Sequence, residues 1–287
     1  MTPGAARWLL LVCLVTACAR APLVVVAAGD ISAPTVGQQA VTAALVEALR
    51  PQVVLVAGDL QYDDGSFEAF STTYAQTWGR FRDKTRPAPG NHEYQSGGDG
   101  YFDYFGPLAG PDRRGWYAFD LGAWHFVSLN TGLGCADGSC GPGSEQLRWL
   151  EADLAANTRR CVIAWWHHPR FGSGLHGSFE AAQPFWALLA AHRVELVIVG
   201  HEHFYERFAP LDATGAPAPG GVVQLTVGTG GIGFSDFAPG PPATGSLVRQ
   251  NHTFGVLKLT LGEDDWVAEF VPVPGGTFTD VTRGRCR

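Results

Sequence analysis

Apolar runs and their spacing lay out most of the chain. Leu23–Ala28 and Val53–Ala57 contain no polar residue, the pattern of strands covered on both faces. Between them, Val41, Ala44, Leu45, Ala48 and Leu49 recur at helical spacing over Gln38–Arg50 and stop before Pro51. A strand–helix–strand unit of this kind implies a parallel sheet. A helix is predicted over Phe67–Arg82, then a short strand leading into Gly90. Gly115–Asp120 and Trp124–Leu129 read as a hairpin turning near Gly122. Ser144 is placed to cap a helix running to Ala156, with Leu147, Leu150 and Leu154 on one face. Cys161–Trp166 and Val194–Val199 are further buried strands, with a helix between them near Phe179–Ala191. Val222–Val227, Phe254–Leu261 and Trp266–Val271 complete the β pattern. The order predicts an α/β fold of two packed mixed sheets with helices outside. Pro210–Gly221 and Phe237–Gly245 are Pro/Gly-rich loops rather than domain boundaries, and no internal repeat is present.

Chemistry gathers where these runs stop. In order, the chain reads Gly29-Asp30, Gly58-Asp59-Leu60-Gln61-Tyr62, Gly90-Asn91-His92-Glu93, Trp166-His167-His168-Pro169 and Gly200-His201-Glu202-His203. The carboxyl ends of strands are where an open α/β sheet collects its ligands. Asp, Tyr, Asn and His are the oxygen and nitrogen donors of hydrolytic metal sites. A lone Asp after Gly is equally a turn former, and Tyr62 beside Asp63-Asp64 reads alone as a surface aromatic. The combination shifts both towards ligation. His201 and His203, two apart, share a face if extended, whereas adjacent His167 and His168 do not. His125, His192 and His252 fall outside the blocks and read as structural.

The blocks resemble the calcineurin-like metallophosphoesterases. The GDxxY form and Gly-His-Glu-His-Phe-Tyr-Glu-Arg are similar to the purple acid phosphatase branch, from about Pro22 to Cys286. The resemblance implies a four-layer α/β/β/α sandwich and a single domain over residues 22–287. It implies that Asp30, Asp59, Tyr62 and His203 hold one metal ion, and Asp59, Asn91, His167 and His201 a second, with Asp59 bridging. Phenolate and carboxylates suit Fe(III); Asn and imidazoles suit a divalent ion such as Fe, Zn or Mn. His92 would contact phosphate. His176, nine residues after His167, matches a residue used near the leaving group, on a loop expected to be flexible. The chain departs from the family's Asp-x-Gly form at Ile31-Ser32-Ala33. The implied reaction is hydrolysis of phosphate monoesters by a metal-activated hydroxide. The alternatives are a phosphodiesterase or nucleotidase on the same core, a protein phosphatase, and a catalytically inactive surface-binding protein.

Composition narrows this in three ways. A net charge of −7 over 287 residues, without a Lys/Arg run, argues against a nucleic-acid partner; the partner that the resemblance implies is a small phosphorylated substrate. Arg7 followed by the apolar stretch Trp8–Val15 reads as an export leader over residues 1–19, too short to span a bilayer. Val15-Thr16-Ala17-Cys18 resembles a bacterial lipobox, so lipidation of Cys18 and plain secretory cleavage are both open. The membrane enters only through that anchor. Export permits disulfides. Cys135 and Cys140 bracket a short loop and form the obvious local pair, leaving Cys161 with Cys286 among three pairings that four cysteines allow.

Overall fold

The structure, a computed structural model, describes residues 21–35, 37–136 and 138–287. The expected leader over residues 1–19, with Cys13 and Cys18, lies outside the described residues. Strand β1 (Leu23–Ala28) is followed by helix α1 (Gln39–Leu49) and β2 (Val53–Ala57), which pairs with β1 in parallel. The expected helix over Phe67–Arg82 is instead broken. Only α2 (Phe67–Thr72) is α-helical, and 3₁₀ turns follow over Tyr74–Gln76 and Trp78–Lys84. The breaks fall at Thr73 and Thr77, and at Thr77 the backbone leaves helical geometry, with φ −117° and ψ −95°; β-branched residues lose side-chain freedom in a helix. Phe70, Tyr74 and Trp78 nonetheless stay fully buried, so the apolar spacing survives the break.

Next come β3 (Thr85–Ala88), the short helices α3 (Asn91–Gln95) and α4 (Asp99–Phe105), and the hairpin β4 (Tyr117–Leu121) and β5 (Trp124–Ser128). Helix α5 (Glu145–Ala156) begins where predicted, with the Ser144 hydroxyl accepting from Leu147 N at 3.2 Å. β6 (Cys161–Trp165), α6 (Gln183–Ala191) and β7 (Leu196–Val199) follow. The chain ends with β8 (Tyr205–Phe208), β9 (Val223–Val227), β10 (Ser246–Gln250), β11 (Gly255–Leu261), β12 (Asp265–Pro272) and β13 (Asp280–Arg285).

The strands form two mixed sheets, ordered β13-β12-β11-β1-β2-β3 and β10-β8-β9-β7-β6-β5-β4. Val25, Leu55 and Leu257 of the first share one buried cluster with Phe126, Ile163, Ile198 and Leu225 of the second, so the sheets pack face to face. On the outer side of the second sheet, Leu150 and Leu154 of α5 and Phe185, Trp186 and Leu189 of α6 cover Val162, Val197 and Val199. Helix α1 lies against β1 and β11 on the first. This is the α/β/β/α sandwich expected from the strand order. Disulfides join Cys135 to Cys140 and Cys161 to Cys286, the pairing expected from proximity. Among the described residues, no helix is long and apolar enough to cross a membrane.

Candidate metal centre

The parallel strands β1, β2, β6 and β7 deliver their carboxyl ends to one edge of the sandwich, and β3 adds the Gly90 turn. There the chain turns sharply. Asp30, Asp59 and His201 have positive φ values of 60°, 48° and 70°, a conformation that costs non-glycine residues on the order of 1–3 kcal/mol each. It turns each side chain back over the strand ends. Gly58 needs its own residue type for a second reason. A Cβ there would stand 2.5 Å from Nδ1 of His167, so only glycine lets the two sheets meet at this point.

The predicted donors converge in two groups. Around Tyr62, the phenol oxygen lies 3.0 Å from Asp30 Oδ1, 3.0 Å from Asp59 Oδ2 and 3.1 Å from His203 Nε2. Around His167, Nε2 lies 3.0 Å from Asn91 Oδ1, 3.1 Å from Asp59 Oδ2 and 3.2 Å from His201 Nδ1. Oδ2 of Asp59 stands in both groups. Its other oxygen accepts from His92 N at 2.9 Å, and Asp30 Oδ2 accepts from His201 N at 2.9 Å. These bonds leave one carboxylate oxygen of each residue for the centre.

The donor set fits cations. His167 Nδ1 is 2.9 Å from the Ala57 carbonyl; that partner can only accept, so Nδ1 carries the hydrogen and Nε2 turns a lone pair inward. Inward lie further acceptors, the Asn91 and Asp59 oxygens, and a single phenol hydrogen serves two carboxylates. Lone pairs facing lone pairs in a buried site require positive charge between them. In the metal-free protein a proton supplies part of it. Burial opposes charge on His167, yet Asp59 and then Asp30 hold its pKa up at about 9. Burial and the cationic His167 push His201 down to about 2, and burial drives His203 down to about 4. Burial raises Asp30 and Tyr62 well above their ordinary values, the neighbouring carboxylates adding to the shift on each.

The other sequence candidates surround this centre. The His92 ring lies 4.1 Å from that of Tyr62, with Nδ1 against the Asp63 carbonyl and Nε2 3.9 Å from Asp59 Oδ2. His176 lies at the opposite group, its ring 4.6 Å from His201. Its loop, expected to be flexible, is tied down. The amides of Ser173 and His176 donate to Glu206 and Glu202 at 3.0 Å each, and Gln224 brackets Phe171 from both sides. His168 sits beside the second group, Nδ1 3.0 Å from the Thr131 hydroxyl and its ring stacked 4.7 Å from Phe179. One of its nitrogens lies within 4.8 Å of donor atoms of His167 and His201, so His168 stands with them among the groups that could hold an ion. His125 is far in sequence from every block and binds Asp120 and Asp153 at 2.7 and 2.8 Å.

Glu93 is the residue that pattern reading passed over. Its buried carboxylate accepts the amides of Asp59, Leu60, Gln61 and Gly90 at 2.9, 2.9, 3.2 and 2.7 Å. It thereby locks the β2 and β3 turns, and with them Asp59 and Asn91. The available signal was its place three residues after the helix-capping Gly90, where an acidic side chain reaches back to orphan amides.

Residues 23–205 match the model of the calcineurin-like phosphoesterases. The chain belongs to that family. Among phosphoesterase relatives, an uncharacterized protein of Mycobacterium tuberculosis (strain ATCC 25618 / H37Rv) is 32% identical over 65% of this chain and 43% of its own length. Purple acid phosphatase 23 of Arabidopsis thaliana is 29% identical, over 63% of this chain and 47% of its own. The chain thus spans about half the length of these curated relatives. In fold, this phosphoesterase is similar to a purple acid phosphatase from yellow lupin seeds, with TM-score 0.71, 22% identity and coverage of 91% of this chain and 53% of that one. GAP50 of Plasmodium gives TM-score 0.71 at 15% identity, covering 93% and 90%. Family and fold, rather than activity, are what these likenesses carry.

Proposed function

We propose that this chain is an exported phosphatase that hydrolyses small phosphate monoesters at a pair of metal ions. The observation that carries the reading is the single Asp59 oxygen common to two donor groups of different chemistry. Asp30, Asp59, Tyr62 and His203 would hold the harder ion, Fe(III), and Asp59, Asn91, His167 and His201 a divalent Fe, Zn or Mn. Bound metal ions of this kind acidify water and neutralise phosphoryl oxygens. The protein's own part is orientation and proton handling. Ala57 and Glu93 fix the donors, His92 beside Tyr62 meets the phosphate, and His176 beside His201 delivers a proton to the departing oxygen. The two disulfides and the leader over residues 1–19 support an extracytoplasmic location, with residues 22–287 as one catalytic domain and Cys18 as the point of any lipid anchor.

Elemental analysis of purified protein, paired with turnover on p-nitrophenyl phosphate and bis-p-nitrophenyl phosphate, tests this. Two metal ions per chain and faster monoester turnover are expected. Preferential cleavage of the diester would assign the same centre to phosphodiesterase chemistry. Metal without turnover on either substrate would leave a metal-bearing binding protein.

A further inference from the structure

Between two of the donor histidines lies a carboxylate with no task in the centre. Glu202 is fully buried and its side chain meets the 174–177 turn. Oε1 accepts the His176 amide at 3.0 Å. Oε2 stands 3.4 Å from His176 Nδ1 and forms no hydrogen bond of good geometry among the described residues. A buried carboxylate oxygen without a full partner is costly, and its presence in a native fold calls for a reason. The loop is shaped around it. A Cβ on Gly174 would stand 2.1 Å from Oε2, so the main chain closes onto the carboxylate only because residue 174 is glycine.

We propose that Glu202 is a positioning residue for His176. One oxygen fixes the main chain of the loop and the other faces Nδ1. This selects the imidazole orientation in which Nε2, on the far side of the ring, is free next to His201 at the donor centre. A carboxylate on one imidazole nitrogen sets which nitrogen is left for chemistry. The same segment supplies a second hold, since Glu206 accepts from Ser173 N at 3.0 Å and from its hydroxyl. The 171–177 loop is therefore held from the stretch that also carries His201 and His203. The proposal rests on the reading of His176 as the leaving-group acid.

The test is a double-mutant cycle on the metal-loaded enzyme. Glu202→Gln keeps an oxygen for the His176 amide and removes the charge beside Nδ1. General-acid help is worth typically about 10²–10⁴-fold, so partial misorientation should lower kcat on alkyl phosphates by roughly tenfold. KM and metal content should be unchanged, and the effect on p-nitrophenyl phosphate much smaller. In a His176→Ala background the same substitution should change nothing further, because coupled residues are non-additive. In metal-free protein, Glu202→Ala but not Glu202→Gln should accelerate amide hydrogen exchange over residues 174–177. Additive losses in the double variant, an equal loss on both leaving groups, or loss of metal in Glu202→Gln would each overturn the proposal. An active parent that Glu202→Gln leaves unaltered overturns it alone, whereas a parent without phosphomonoesterase activity overturns the functional reading beneath it.

Discussion

At the scale of single residues, the centre is organised by two acidic side chains with different duties. Asp59 stands at the junction of both donor groups, so its removal should empty both. Asp59→Ala is expected to bind no stoichiometric metal, whereas Asn91→Ala should weaken chiefly the group around His167. Inductively coupled plasma analysis reads this directly, and two ions retained in the Asp59 variant would disprove the shared role. Glu93 acts on backbone. Its loss leaves amides of Asp59, Leu60, Gln61 and Gly90 unpaired, and each buried orphan costs about 1–3 kcal/mol. Glu93→Ala should therefore cost about 3 kcal/mol or more, lowering Tm by roughly 6–12 °C and weakening metal binding with every ligand intact. A melting temperature within a degree of the parent would mean that water replaces the carboxylate. Asp30, Asp59, Tyr62, Asn91, His167, His201 and His203 were legible as candidate donors because they stand in blocks, most of them closing an apolar run, whose order resembles a known family. Glu202 was not, because its partner is a loop, which leaves no spacing in the sequence, and Glu93 left only its capping position three residues after Gly90.

At the scale of elements, the buried strands β1, β2, β6 and β7 could be read almost to the residue. The edge strands β10 and β13 could not, nor could β8, which lies inside the second sheet. β13 has no fully buried position, and β10 has one, Gln250; a strand that packs on one side only need not carry an apolar face. The hairpin β4–β5 was predicted, but its tie to α5 was not. His125 on β5 bridges Asp120 of β4 and Asp153 of α5, and Arg159 bonds the other oxygen of Asp120 at 2.9 Å. Burial disfavours the charged imidazole, but the hydrogen bonds it donates to Asp153 and Asp120 prevail and raise its pKa. A raised folded-state value means that this contribution is fully present below the unfolded value of about 6.5 and is lost as pH rises through the folded one. Wild-type protein should therefore lose thermal stability above neutrality by an amount that His125→Gln does not. Melting curves between pH 6 and 9 compare them. Parallel pH profiles in the two proteins would show that the bridge contributes nothing that titrates.

At the scale of the whole molecule, the two sheets meet at both ends by different means. At one edge the donor side chains that follow β1, β2, β6 and β7 interlock. Elsewhere, Cys286 after β13 of the first sheet is bonded to Cys161 at the start of β6 in the second. This cross-link closes a span of 125 residues, against 5 for Cys135–Cys140. In the chain-entropy account the longer closure is worth about 4–5 kcal/mol and the shorter about 2. Burial does not separate the two bonds, since Cys140 is as fully buried as Cys161; the span does. Replacing Cys161 and Cys286 together by Ser should then lower Tm by roughly 10 °C or more, and the same change at Cys135 and Cys140 by roughly 4–8 °C. The long-range variant should also expose its C-terminal strand to proteolysis first, because β13 pairs only with β12. Both pairs are read by differential scanning calorimetry of metal-loaded protein, with limited proteolysis alongside. Equal shifts, or a larger one for Cys135–Cys140, would show that span does not set the stability of this sandwich and that the loop carrying Thr131, the partner of His168, matters more.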